Sequence, residues 1–162
     1  MPRTKLPIIA IRRATSKDLK DILSLARKLW DYHIPLDPLW RSGQQMRKHD
    51  RQWYRTKLRS KNFRVYVAEH KGKIIGFFSG QIRPSSRALR YRYQGFINQA
   101  YVKPAYQGLG IGKQLLDECI TWFKSRKLDF VELHVDSRNI PGHHAWSKLG
   151  FKEYLKRMRR KI

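Results

Sequence analysis

Apolar residues recur along this chain at a helical period, then at a strand period, and the switches between the two lay out its elements. Ile8 to Ile11 are β-branched and apolar enough for a strand, and Thr15 and Ser16 supply helix-capping chemistry just after it. Ile22, Leu25, Ala26, Leu29 and Trp30 then fall at i, i+3, i+4, i+7 and i+8, which predicts an amphipathic helix. Pro35 and Pro38 end it. A more polar helix is expected from Gly43 to Arg59, with Met46, Trp53, Tyr54 and Leu58 inward. From Phe63 the period becomes two: Phe63, Val65 and Val67 alternate with Arg64 and Tyr66, and Lys71-Gly72 turns the chain into Ile74 to Ile82. The basic stretch from Arg83 to Arg92 reads as a long hairpin connection into a third strand, Gly95 to Val102.

Beyond Val102 the pattern predicts a helix with Ile111, Leu115, Cys119, Ile120 and Phe123 on one face. A buried strand from Phe130 to Val135, a short helix from Ile140 to Lys148 and a closing strand from Phe151 toward Met158 follow. That order predicts an α/β (α+β) fold, a mixed and mostly antiparallel sheet with helices on both faces. At 162 residues and 41% apolar content, residues 1–162 are expected to form a single domain.

Composition removes several function classes. One cysteine, Cys119, permits no internal disulfide framework and no cysteine-rich metal site, and suits a reducing compartment. The six histidines show no HExxH-type spacing, so no metal centre is expected. The apolar run near the N-terminus is too short to span a membrane and is interrupted too soon for a secretory signal, so the expectation is a cytoplasmic protein without membrane insertion.

Charge changes the picture more. Thirty-six basic residues against 12 acidic ones give a net charge of +24, a field that draws in anions and repels cations. That favours phosphate-bearing ligands, nucleic acid, ribosomal surfaces or acidic proteins as partners, and counts against polyamines or histone-like tails. Much of the charge also has the bland reading of a solvated surface.

The candidate chemistry centres on Gln107-Gly108-Leu109-Gly110-Ile111-Gly112, which opens a predicted helix. Glycines there let an anion reach backbone N–H groups that have no intrahelical partner, a phosphate nest at the positive end of the helix. It is not a Walker A loop, because Gln107 stands where the first glycine belongs and Gln114 follows Lys113. Nor is it a dinucleotide fingerprint, because the spacing is GxGxG and Lys103 to Tyr106 separate it from the strand.

The chain resembles the GCN5-related N-acetyltransferase (GNAT) superfamily. Val102-Lys-Pro104-Ala-Tyr-Gln107-Gly-Leu-Gly110-Ile-Gly112 follows that family's cofactor motif. Leu133-His-Val135-Asp-Ser-Arg-Asn139 and Ala145-Trp-Ser-Lys-Leu-Gly150-Phe151 follow in the family's order and spacing. The resemblance covers roughly the last 65 residues. It implies acetyl-CoA as co-substrate. Backbone N–H groups of Gln107, Gly108, Leu109, Gly110, Ile111, Gly112 and Lys113 would hold the pyrophosphate, and the backbone of Ala100, Tyr101 and Val102 would line pantetheine and acetyl. Asn139 would reach the cofactor, with helix N-capping an equally good reading.

The reaction implied is attack of a neutral amine on the thioester, with a backbone N–H receiving the developing oxyanion. The acceptor would be a protein N-terminus, a lysine or a small amine. At the position where many members carry a tyrosine acid this chain has Trp146, which can pack or donate a hydrogen bond but is no acid. His143, on the same helical face, is a candidate substitute. Where several members carry a glutamate base this chain has His134, a candidate base, and the strand before Val102 offers Asn98 and Gln99 in place of a carboxylate. Two other functions stay open. The basic-aromatic run Arg87, Arg90, Tyr91, Arg92, Tyr93 suits a nucleic-acid- or ribosome-associated binding protein, and Trp146 with the missing carboxylates suits a CoA-binding regulator without turnover. Dimers are common in the family, so a homodimer is compatible with the resemblance.

Overall fold

Five strands lie in the order β1-β2-β3-β4-β5 in a computed structural model that describes residues 7–162. They are β1 (Ala10–Arg13), β2 (Phe63–His70), β3 (Lys73–Pro84), β4 (Tyr93–Val102) and β5 (Val131–Leu133). The first three pairings are antiparallel and β4 pairs with β5 in parallel, as expected of a mixed, mostly antiparallel sheet. The β2–β3 hairpin turns on Lys71 and Gly72, both at positive φ (48° and 71°), the backbone a two-residue hairpin loop needs.

Helices cover both faces. On one lie α1 (Leu19–His33) and α2 (Gly43–Lys57), burying Ile22, Leu25, Ala26 and Tyr54 against Phe63, Val65, Val67 and Phe77. On the other, α3 (Ile111–Ser125) buries Leu115, Leu116, Cys119, Trp122 and Phe123 against Tyr66, Ala68, Ile75, Phe78 and Ile97. Each fully buried side chain of this size removes about 1.5–3 kcal/mol of apolar exposure from water. Contact between α3 and the sheet is close: a Cβ on Gly95 would meet the Phe123 ring at 2.6 Å, so glycine there sets the depth at which α3, and the turn that starts it, sits. The short α4 (Ile140–Lys148) packs on this side through Trp146, whose ring lies 5.7 Å from Phe78 and 5.4 Å from Phe151.

Two expected strands differ. The first begins at Ala10, not Ile8, which is exposed. The strand expected from Phe151 toward Met158 does not form: residues 151–162 make no ladder, and Tyr154, Leu155 and Met158 are exposed. Only Phe151 of that segment packs against the core, and of the cations that follow Lys156 pairs with Glu153 and Arg159 with Asp37. A segment with one buried residue has too little apolar surface to offset the cost of joining a sheet. β5 is likewise shorter than the predicted Phe130 to Val135. Among the described residues no helix is long and apolar enough to cross a membrane.

Candidate active site

β4 carries the feature that shapes the site. Its register against β3 runs Gly80↔Ile97 and then Ser79↔Gln99, so Asn98 is an extra residue, a β-bulge. Up to the bulge, Gly95 and Ile97 face α3; beyond it Ala100 and Val102 do, while Tyr101 joins the core under α1 and α2. The parallel ladder to β5 stops at the same place, with Ile97↔Leu133 its last pair. Beyond that pair, β4 runs on for five residues without β5 beside it.

The direction of its backbone groups follows from two bonds. Gly95 N–H donates to Phe130 O on the β5 side (2.9 Å), and Lys103 N–H donates to Ile75 O on the β3 side (2.9 Å). Since direction alternates along a strand, Tyr101 points to β3 while Ala100 and Val102 point into the opened side. Gln107 reaches back there, its side-chain Nε2 donating to Val102 O at 2.9 Å. This bond fixes the glycine turn against the end of β4.

The turn itself starts with a single 3-10 turn, Pro104–Tyr106, after which Gly108 and Gly110 take positive φ of 77° and 76°. A Cβ at either would meet nothing within 4 Å, so backbone conformation, and not crowding by the protein, calls for glycine. Among the described residues the N–H groups of Gly108, Leu109, Gly110, Ile111, Gly112 and Lys113 donate to no protein acceptor. The expected cradle begins one residue later than the sequence implied, because Gln107 N–H is committed to Pro104 O (3.1 Å). The first turn of α3 contains no acidic residue, and Lys113 Nζ turns to Asp117 (2.6 Å). Six free donors on a helix N-terminus, beside an open strand edge, fit a phosphate-bearing ligand with an extended arm.

Asn139 stands across the opening. Its Oδ1 caps α4 by accepting from Gly142 N–H (3.0 Å) and also accepts from Tyr32 OH of α1 (2.9 Å). The capping reading holds, and Asn139 Nδ2 donates to no described residue. Trp146 is half-buried between Phe78 and Phe151, and its indole N–H also lacks a described acceptor. His143 is half-buried, with Nε2 against Asp136 O at 3.2 Å.

The face under α1 and α2 holds the remaining candidates. His134 lies on the opposite strand face from Val131 and Leu133, edge-on to Phe96 at 5.0 Å. Burial, then the Arg83 and Arg157 charges, lower its pKa below the usual histidine value, so the ring is neutral at neutral pH. Gln99 is fixed: its Oε1 accepts a short bond from the fully buried Tyr54 OH, and its N–H donates to Ser79 Oγ (3.1 Å). Asn98 donates to Gln81 (3.4 Å) and leaves a buried Oδ1 without a partner.

Sequence reasoning missed the clasp that closes this end. Buried Asp37, in the α1–α2 loop, accepts from Leu39 N–H and pairs with Arg138 and Arg159, and Arg138 also pairs with Asp136. The Leu39 bond and the two guanidiniums hold the Asp37 carboxyl well below the ordinary carboxylate range, and Arg138 lowers Asp136 to about 2. The only sequence signal was scarcity: in a chain with so few acids, Asp-Pro at 37–38 marks an acid kept for a structural turn. Tyr32 was also missed. Among the described residues no group of three or more His, Cys, Asp or Glu side chains is placed to hold a metal.

A mixed sheet whose β4–β5 ladder ends beside a glycine turn defines an α/β protein. The chain belongs to the acetyltransferase (GNAT) family, whose model matches residues 22–151. It is similar to a mycothiol acetyltransferase of Acidothermus cellulolyticus, 30% identical over 97 residues, covering 55% of this chain and 30% of that enzyme. An uncharacterised N-acetyltransferase of Methanocaldococcus jannaschii is 28% identical over 147 residues, 88% of this chain and 60% of that one. The chain thus spans less than two thirds of either relative. Its fold matches that of a predicted acetyltransferase from Clostridium acetobutylicum solved with acetyl-CoA, at TM-score 0.76 and 20% identity, covering 95% of this chain and 96% of that one.

Proposed function

We propose that the protein transfers the acetyl group of acetyl-CoA to a primary amine, and that the carrying observation is the divergence of β4 from β5 beside six free N–H groups at Gly108 to Lys113. In this reading the turn holds the pyrophosphate, and Asn139 Nδ2 and Trp146 flank the pantetheine arm. The N–H and C=O of Ala100 and the N–H of Val102 supply the unpaired strand edge along which that arm extends.

Acetyl transfer forms an N–C bond, breaks the C–S bond, and requires the amine to lose a proton while the thiolate gains one. A backbone N–H aimed into the opening is suited to the charge that develops on the carbonyl oxygen. His134, on the face away from α3 and neutral at neutral pH, is the proposed proton acceptor. His143 is committed to the Asp136 carbonyl and is left out of the proton path. Among the described residues Asp37 and Asp136 are engaged by arginines and Glu132 by Gln94, Tyr91 and Arg83, so none of these three offers an incoming ammonium a free carboxylate. The acceptor is therefore one that arrives neutral or carries an anionic group beside its amine.

Free-thiol release from acetyl-CoA across N-terminal peptides, lysine peptides and small amines tests the reading. Turnover on at least one class is expected. CoA binding with no thiol release on any of them overturns it in favour of a regulator.

A further inference from the structure

Away from the candidate active site, α1 and α2 form a groove of about 470 Å³ whose walls are basic. Lys17, Lys20 and Arg27 stand along one wall, and Arg47, Arg51 and Arg55 along the other. All six are exposed, and among the described residues none has an ion-pair or hydrogen-bond partner. The single acid lining the groove, Asp50, is buried and committed to Trp30 Nε1 (2.7 Å) and His49.

Spacing separates this from a merely solvated surface. Arg47, Arg51 and Arg55 recur at i, i+4 and i+8, one row rising about 6 Å per step. Like charges at that spacing destabilise a helix, and ordinary surface helices interleave them with acids. α1 and α2 together carry eight Lys and Arg against three Asp, and Asp31 and Asp50 are already engaged, Asp31 by Gly43 N–H. Two facing rows of unpaired cations, tolerated against helix stability, need a ligand with regularly spaced negative charges. A single phosphate or carboxylate would use one or two of the six.

We infer that the α1–α2 groove is a docking surface for the phosphodiester backbone of a nucleic acid, separate from the acetyl-transfer site. It lies toward the N-terminal end of α1, whereas Tyr32, which meets Asn139, is at the other end. The inference does not depend on turnover.

Fluorescence anisotropy with a labelled DNA duplex tests it across a salt series. The triple variant Arg47→Gln/Arg51→Gln/Arg55→Gln should bind at least about tenfold more weakly near 0.1 M salt, and its log–log salt slope should be shallower by about 2 to 3. Arg47→Lys/Arg51→Lys/Arg55→Lys keeps the charge and should keep the slope, which guards against a folding defect. The control Lys152→Gln/Arg160→Gln/Lys161→Gln removes the same charge from the C-terminal segment and should change little. Equal losses from groove and control variants, or no loss from the groove variant, overturn the inference. So does tighter groove-dependent binding to phosphatidylserine vesicles or polyglutamate than to the duplex.

Discussion

Tyr32 at the end of α1 donates its phenol proton to Asn139 Oδ1 at 2.9 Å, joining residues 107 positions apart across the mouth of the opened sheet. Asn139 already caps α4, so one oxygen ties α1 to the α4 N-terminus. Tyr32→Phe should cost only about 0.5 kcal/mol in denaturant unfolding, since the bond is exposed. Its larger effect should be on CoA, with affinity by calorimetry falling several-fold as Asn139 loses its fixed orientation.

Gly110 and Gly112 should separate conformation from approach. Gly110→Ala places a side chain at φ 76°, costing about 1–2 kcal/mol of stability. Gly112 is helical, and a Cβ there meets only the Phe78 ring at 3.9 Å, so Gly112→Ala should leave stability unchanged or raise it by up to about 1 kcal/mol. Both should weaken CoA binding at least tenfold. Undiminished CoA binding by Gly112→Ala would show that no ligand approaches that backbone.

The first three helices and the β2–β3 hairpin were legible because their apolar positions keep one period over many residues, and the short α4 also runs over the predicted Ile140–Lys148. The glycine turn was legible because its residue types are rare together. The Asn98 bulge was not: a single extra residue leaves no trace in a period-two pattern as short as β4. The Asp37 clasp joins three segments through pairs more than 100 residues apart, and no local pattern encodes such a contact.

Acid should loosen that clasp and also a separate pair, in which Arg12 of β1 holds Asp18 just before α1 at 2.8 Å. Asp136 and Asp18 are both depressed to about 2 from 3.8, by Arg138 and Arg12 respectively, and Asp37 is depressed further in the same direction. A depressed carboxylate contributes stability that is fully present above its unfolded pKa and is lost as pH falls through its folded one. Melting temperature should therefore be insensitive to these groups near neutrality and fall between about pH 4 and pH 2. Arg12→Gln/Arg138→Gln should start lower at neutral pH and fall less over that interval.

Cys119 offers a clean reporter of opening. It is fully buried under α3, and burial pushes its thiol up to about 12. An aromatic disulfide reagent should leave the native protein unlabelled at pH 8 and modify one thiol per chain in guanidinium. Prompt labelling of the native protein would mean that α3 lifts from the sheet far more readily than its packing indicates.

The extra residue in β4 has a bearing on how relatives of this chain are compared. Because side chains alternate strictly, the bulge at Asn98 is what keeps Ala100 and Val102 on the face of Gly95 and Ile97, and a strand that kept Asn98 without bulging would transpose two faces: Tyr101 would turn toward α3, and Ala100 toward the helices opposite. An alignment that closes a one-residue gap near 98 thus assigns every following position of the strand to the opposite layer, although its percentage identity barely changes.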